Sequence, residues 1–282
     1  MPSRRAFASL LTAGAGMAAL AACAPDNTAP SPVAANAASG VPSASETPSA
    51  ATPGATATEP APVEPAPSAE PSSTAPSSSV APQHSLTDPT SPWVVVNKHR
   101  PLAPQDFVPA DLVQPNIQLA VSGEAALLNS TTAAAAEKMF GAAASEGIIM
   151  TLASGYRSYS TQVATYNGYV ASTGQAAADR ASARPGHSEH QTGWSFDIGD
   201  GGGACSFQPC FAEQPAAVWA KANAHKFGFV VRYPWMFHDT TGYFYESWHL
   251  RYIGVEAATD MATRGIATLE EYFGLEAAPD YL

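Results

Sequence analysis

The chain has 282 residues, a formal net charge of −11 and 13% charged residues. That balance argues against nucleic-acid binding, which uses Lys and Arg to neutralise phosphates. Composition also divides the chain: all five tryptophans lie from Trp93 onward, while residues 24–90 are mostly Ala, Pro, Ser and Thr, with no Lys or Arg.

Residues 1–23 read as an export signal. Ser3-Arg4-Arg5-Ala6-Phe7 is a charged start, and the apolar stretch from Ala6 to Ala22 is too short and too weak for a membrane span. The paired arginines fit a twin-arginine signal and equally an ordinary charged start. Leu20-Ala21-Ala22-Cys23 has the form of a lipobox, in which Cys23 is lipidated after cleavage. The other reading is a plain secretory signal with an incidental cysteine; the polar tether that begins directly after Cys23 favours lipidation. Residues 24–90 bury too little apolar surface to offset their ordering entropy, so they read as a disordered, extended linker. Residues 91–282 are then one globular domain, of a size that supports a single core.

Trp93-Val94-Val95-Val96-Asn97-Lys98 predicts a strand or an extended arm, and the prolines at 101, 104 and 109 keep the following chain extended. Glu124 to Glu146 is Ala-rich, with Leu127, Leu128, Met139 and Phe140 at spacings that predict a helix with one buried face, stopped at Gly147. Ile148 to Leu152 reads as a buried strand ending at Ser154-Gly155-Tyr156-Arg157-Ser158. Ser160 is placed to cap a helix through Gln162, Val163, Tyr166 and Val170. Gly174 to Ala183 reads as a polar connection. Its Arg180, like Arg184 beyond it, is read as a solvating loop charge.

The stretch 184–249 carries the chemistry. Arg184-Pro185-Gly186-His187-Ser188-Glu189-His190-Gln191-Thr192-Gly193-Trp194-Ser195-Phe196-Asp197 opens it, and Tyr245-Glu246-Ser247-Trp248-His249 closes it. His190, Asp197 and His249 offer two imidazoles and a carboxylate, the kind of three-ligand set that a catalytic zinc site uses while leaving a fourth position open. Trp194 to Ile198 has a weak strand alternation. Glu246 precedes His249 by three residues within a run of strand formers, where a free carboxylate beside a metal suits proton transfer in a hydrolase. His187 is the obvious competing ligand. Glu189, a second carboxylate nearby, reads either as structural or as a neighbour that orients a ligand imidazole.

Asp200-Gly201-Gly202-Gly203 is a flexible loop, followed by Cys205 and Cys210. With Cys23 lipidated, these two form an even pair in an exported protein, and a disulfide between them is expected. Pro215 to Phe227 reads as a helix with Val218, Trp219, Ala222 and Phe227 inward, ended by Gly228. Phe229 to Tyr233 is a strand, and Pro234 to Gly242 a loop in which His238 and Asp239 are surface residues. Val255 to Gly265 and Leu269 to Phe273 read as terminal helices.

Three blocks, Ser154-Gly155-Tyr156-Arg157-Ser158-Tyr159-Ser160-Thr161-Gln162, Pro185 to Asp197, and Glu246-Ser247-Trp248-His249, resemble the signature blocks of VanY-type D-alanyl-D-alanine carboxypeptidases. These are zinc peptidases of the bacterial cell wall, related to L,D-carboxypeptidases and distantly to the hedgehog signalling domain. The resemblance covers residues 91–282. It implies zinc on His190, Asp197 and His249, Glu246 as catalytic base, and Arg157 polarising the scissile carbonyl. It suggests Gln162 and Ser188 as substrate-binding residues and leaves His187 on the rim. The expected fold is α+β, a small, largely antiparallel sheet with helices packed on one side and a hedgehog-like zinc cleft at the strand ends. The expected function is removal of the terminal D-alanine from peptidoglycan stem peptides. The alternatives are an L,D-carboxypeptidase, a D,D-dipeptidase or endopeptidase, or a non-catalytic wall-binding module. The expected setting is extracytoplasmic: a monomer, lipid-anchored to the membrane through Cys23 and facing the cell wall.

Overall fold

The computed structural model describes residues 84–282. The export signal, Cys23 and the linker up to residue 83 lie outside the described residues. In chain order the elements are β1 (Leu112–Val113), β2 (Leu128–Asn129), α1 (Ser130–Ser145), β3 (Met150–Ser154), α2 (Tyr159–Thr173), α3 (Gln175–Ala181), β4 (Ser195–Asp200), α4 (Pro215–Asn223), β5 (Phe229–Tyr233), α5 (His238–Thr241), β6 (Glu246–Tyr252), α6 (Val255–Arg264) and α7 (Leu269–Tyr272). The main sheet has four strands in the order β3-β4-β6-β5, all antiparallel. This is the expected α+β architecture.

The sheet has two different faces because side chains alternate along a strand. Phe196, Ile198, Phe229 and Leu250 point into the main core, where Met139 and Phe140 of α1 and Trp219 and Ala220 of α4 meet them. Their sequence neighbours Ser195, Asp197, His249 and Arg251 are buried as well, but polar. The helices are not confined to one side. Ala257, Ala258 and Met261 of α6 and Leu269 of α7 form a second cluster with Val95, Ile253 and Val230, and Val230 alternates with the core-facing Phe229 and Val231.

Several boundaries differ from the sequence expectation, each for a local reason. The Ala-rich helix starts at Ser130 rather than Glu124, because the Asn129 carboxamide accepts from the backbone N–H groups of Thr131 and Thr132 and so caps it there. Residues 123–126 form a 3₁₀ turn instead. Ser158, not Ser160, caps α2 through its bond from the Thr161 N–H. The connection after Gly174 contains the short helix α3. Residues 94–96 are a buried arm, closed by a bridge between Asn97 and Arg100. On α4 the inward set is Ala216, Ala217, Trp219 and Ala220, while Val218 and Ala222, expected inward, are exposed. Residues 84–90, grouped with the linker by composition, pack on the domain: Leu86 O accepts from Val95 N and Pro89 O from the Trp194 indole.

Beneath the polar face lies a fully buried ionic cluster. The Arg232 guanidinium donates to Glu189 Oε1 at 2.8 Å and to both oxygens of Glu270, at 3.0 and 2.7 Å. Arg251 donates to the same Glu189 oxygen at 3.1 Å and to the Pro92 and Val94 carbonyls. Asn97 donates to Glu270. Two guanidiniums face two carboxylates, so the cluster is neutral and ties β5, β6 and α7 to the N-terminal arm. Removing one member of such a set leaves an uncompensated buried charge. Glu270→Ala should therefore lower unfolding free energy by about 3–5 kcal/mol in denaturant titration; a loss under about 1 kcal/mol would show that the cluster contributes no net cohesion.

Candidate active site

The site sits where β3, β4 and β6 end beside the 3₁₀ turn Glu189–Thr192. Asp197 pairs with His249 across β4 and β6, so the register itself puts two of the expected metal ligands side by side. His190 reaches them from the turn. Gly193 closes that turn at φ +69°, and a Cβ there would lie 2.8 Å from the Asn129 amide nitrogen.

In a regular strand Glu246 and His249 would point to opposite faces. They converge because the β5–β6 pairing is irregular: Val231 faces Leu250, but Tyr233 faces Glu246. Such bulges re-aim side chains. A similar irregularity between Leu152 and Ser154 lets Ser154 face Asp197.

His190 Nε2 lies 3.3 Å from Asp197 Oδ2, and His249 Nδ1 lies 3.2 Å from Asp197 Oδ1. One donor atom from each of the three residues falls within a 4.8 Å cluster, and all three are buried. The far side of each ring sets its tautomer. His190 Nδ1 is 2.8 Å from the Gly155 carbonyl, so that nitrogen donates and Nε2 is left as the inward lone pair. His249 Nε2 faces Glu189 Oε2 at 3.5 Å, which leaves Nδ1 turned inward. Asp197 Oδ1 is buried without a hydrogen-bond partner among the described residues. Two inward imidazole nitrogens and an orphaned carboxylate oxygen are what a divalent cation satisfies, and the mixed nitrogen and oxygen set suits zinc. Gly155 belongs to this geometry: a Cβ there would meet the Leu127 carbonyl at 2.5 Å.

The electrostatics follow from burial and close neighbours. Burial alone would lower the His249 imidazole, but the Asp197 and Glu189 carboxylates outweigh it and lift it to about 9. Burial would raise Asp197, yet His190 and His249 hold it well below the usual carboxylate range. Glu189 is likewise opposed by burial and held far down by Arg232 and Arg251. Glu246, partly buried at the cleft wall and 3.6 Å from His249 Nδ1, is pushed up to about 7, mainly by desolvation.

Ser154, Arg157, Ser188 and Glu246 line a cleft of about 460 Å³ with the three ligand candidates. Its walls include the aromatics Tyr169, Phe207, Tyr233, Phe244 and Trp248. Arg157 donates to Gln162 Oε1 at 3.0 Å and to Ser154 Oγ at 3.1 Å. Gln162 departs from the expectation that it meets substrate. Its amide nitrogen donates to Ser182 Oγ and the Ala183 carbonyl, it is fully buried, and it stands behind Arg157 rather than on the cleft wall. His187 turns away, its Nδ1 against the Asn97 carbonyl and its ring against Tyr281. Arg184 pairs with Asp179, and His238 lies on the surface. Cys205 and Cys210 form a disulfide. Arg232, Arg251 and Glu270 belong to no motif legible in the sequence. For the two arginines the one signal is a charge inside an apolar strand pattern, as in Phe229-Val230-Val231-Arg232-Tyr233; Glu270, in the first turn of α7, carries none.

The VanY family model, described as D-alanyl-D-alanine carboxypeptidase, matches residues 125–255. YodJ of Bacillus subtilis, which carries a provisional carboxypeptidase name, is 37% identical over 191 residues, 67% of this chain and 69% of that protein. The structure of the LdcB LD-carboxypeptidase aligns with a TM-score of 0.62 at 37% identity, covering 66% of this chain and 87% of the other. The vancomycin-resistance D,D-pentapeptidase VanY, in complex with Zn(II), aligns with a TM-score of 0.53 at 32% identity, covering 64% and 97%. With the three donors, Glu246 and Arg157 in one cleft, these likenesses place the chain in the VanY family of D-alanyl-D-alanine carboxypeptidases.

Proposed function

We propose that the protein is a zinc-dependent carboxypeptidase that removes the terminal D-alanine from peptidoglycan stem peptides. The observation that carries this reading is the convergence of His190, Asp197 and His249 with a partly buried carboxylate, Glu246, and a guanidinium, Arg157, around one cleft. Family membership and the D,D-pentapeptidase neighbour support the substrate class. The greater similarity to the LD-carboxypeptidase structure favours a second reading, cleavage after an L-residue of a tetrapeptide stem. D-alanine release from synthetic pentapeptide and tetrapeptide stems separates the two. Release from the pentapeptide is the expected result; release from the tetrapeptide alone would establish the L,D reading.

Zinc on His190, Asp197 and His249 would supply Lewis-acid polarisation of the carbonyl and lower the pKa of water. The chain's residues do the rest. Glu246 accepts a proton from the attacking water and returns it to the departing amine, and its raised pKa matches both tasks near neutrality. Arg157, held by Gln162 and Ser154, places positive charge in the cleft where the carbonyl oxygen turns negative. Ser188, buried on the cleft wall, is positioned to contact the peptide.

We place the enzyme outside the cytoplasmic membrane, tethered through a lipid at Cys23 and acting as a monomer. The lipobox-like Leu20-Ala21-Ala22-Cys23 and the disulfide support this setting. Release of the protein by detergent but not by high salt would be expected; recovery in the soluble fraction without detergent would overturn the anchor.

Glu246→Ala should retain stoichiometric zinc and lose at least about 100-fold in kcat, within the usual range for a general base. A variant with near-wild-type kcat would remove Glu246 from the mechanism. The His249 imidazole, lifted to about 9 without the ion, must give up its proton before it can ligate. Below that pH the proton competes, so zinc affinity should weaken steadily as pH falls from 8 to 6. Titration against a chromophoric chelator measures this, and an affinity independent of pH would show that His249 is not a ligand.

A further inference from the structure

The disulfide-closed loop has no part in the chemistry above, yet it reaches the cleft. After β4 ends at Asp200, the chain turns through Gly201, Gly202 and Gly203. The Asp200 carboxylate accepts from the N–H groups of Gly202 and Ala204, both at 3.0 Å. Cys205 and Phe207 then take φ values of +56° and +55°. Non-glycine residues rarely hold such conformations unless the surroundings enforce them. The surroundings here are thin, since most of residues 201–210 are exposed. The bond between Cys205 and Cys210 is the covalent constraint that brackets both residues.

What the loop presents is Phe207. Its ring lies 6.0 Å from that of Trp248 at 80°, an edge-to-face contact, and Phe211 backs the same tryptophan at 6.4 Å. Phe207, Pro209 and Trp248 all line the cleft, and Trp248 adjoins His249. Phe207 is nonetheless 48% exposed. A large apolar ring held half in water beside a peptide cleft leaves surface for a bound molecule to cover.

We propose that Phe207 is a substrate-contacting residue that offers an apolar wall to the alkyl groups of the bound peptide. The Cys205–Cys210 disulfide is a positioning device that keeps it against Trp248. This rests on the peptidase reading and adds a specificity element to it.

The test is a cycle of Phe207→Ala, Phe207→Tyr, the double variant Cys205→Ser/Cys210→Ser, and the triple variant with Phe207→Ala. KM and kcat are measured on the stem peptide that the wild type cleaves, with zinc content and circular dichroism as controls. Phe207→Ala should raise KM about fivefold or more with kcat within about twofold, the signature of lost binding contact. Phe207→Tyr should restore KM, because the ring edge is kept. The cysteine variant should raise KM in the same direction, and the triple variant should add nothing beyond Phe207→Ala, because the disulfide acts through that ring. An unchanged KM in Phe207→Ala, a drop in kcat alone, or additive effects would overturn the proposal while leaving the peptidase intact. A wild type that cleaves no stem peptide would overturn the peptidase reading, and this proposal with it.

Discussion

The Glu189 carboxylate is the point on which the structure turns. One oxygen accepts from two guanidiniums, Arg232 and Arg251, and the other faces His249. A carboxylate this deep in the protein would take up a proton unless cations held it ionised. The two arginines do so, and their remaining charge is met by Glu270. The cluster joins two jobs that are usually separate: it fixes β5, β6, the N-terminal arm and α7 together, and it gives the His249 imidazole a fixed ionised neighbour. The order of residues 92–100 and of α7 is thereby linked to the cleft, although neither segment lines it.

Above that base, the site is a product of register and its interruptions. The β4–β6 pairing sets Asp197 against His249, and the irregular β5–β6 pairing turns Glu246 to the same side. A uniform sheet would have kept Glu246 away from the ligands. The mixed character of the sheet follows: one face is packed by α1 and α4 around Phe196 and Leu250, and the other is buried but polar. Buried polar faces are costly unless satisfied. Here the ionic cluster satisfies the lower part. In the upper part, Asp197 Oδ1 has no hydrogen-bond partner among the described residues, and Glu189 Oε2 and His249 Nε2 meet only each other, at 3.5 Å.

Much of this was legible in the chain. The blocks around Arg157, His190, Asp197 and His249 pointed to the residues that line the cleft, and strand formers around Glu246 placed it on β6. Less legible were features that depend on what a residue meets in three dimensions. The start of α1 turned on whether Asn129 or an earlier residue capped it. Gln162 has the look of a solvated first-turn residue, or of a substrate contact, and only the approach of Arg157 and Ala183 shows that its amide is already engaged. Arg232 and Arg251 stand in otherwise apolar strand patterns, and their partners are 38 and 62 residues away in Glu270 and Glu189. No local pattern carries pairings of that range. Helical spacing points Val218 and Ala222 inward, but the short α4 buries Ala216, Ala217, Trp219 and Ala220 instead.

A buried, ionised carboxylate at position 189 faces the His249 imidazole and fixes its orientation in the candidate metal site. The most direct test is the zinc affinity of Glu189→Gln relative to the wild type, measured on protein shown to be folded. The substitution keeps the shape and removes the charge that faces His249. Stoichiometric zinc is expected in the wild type and an affinity about 10–100-fold weaker in the variant. An unchanged affinity would mean that Glu189 serves the fold alone, and a wild type that binds no zinc would contradict the assignment of the site.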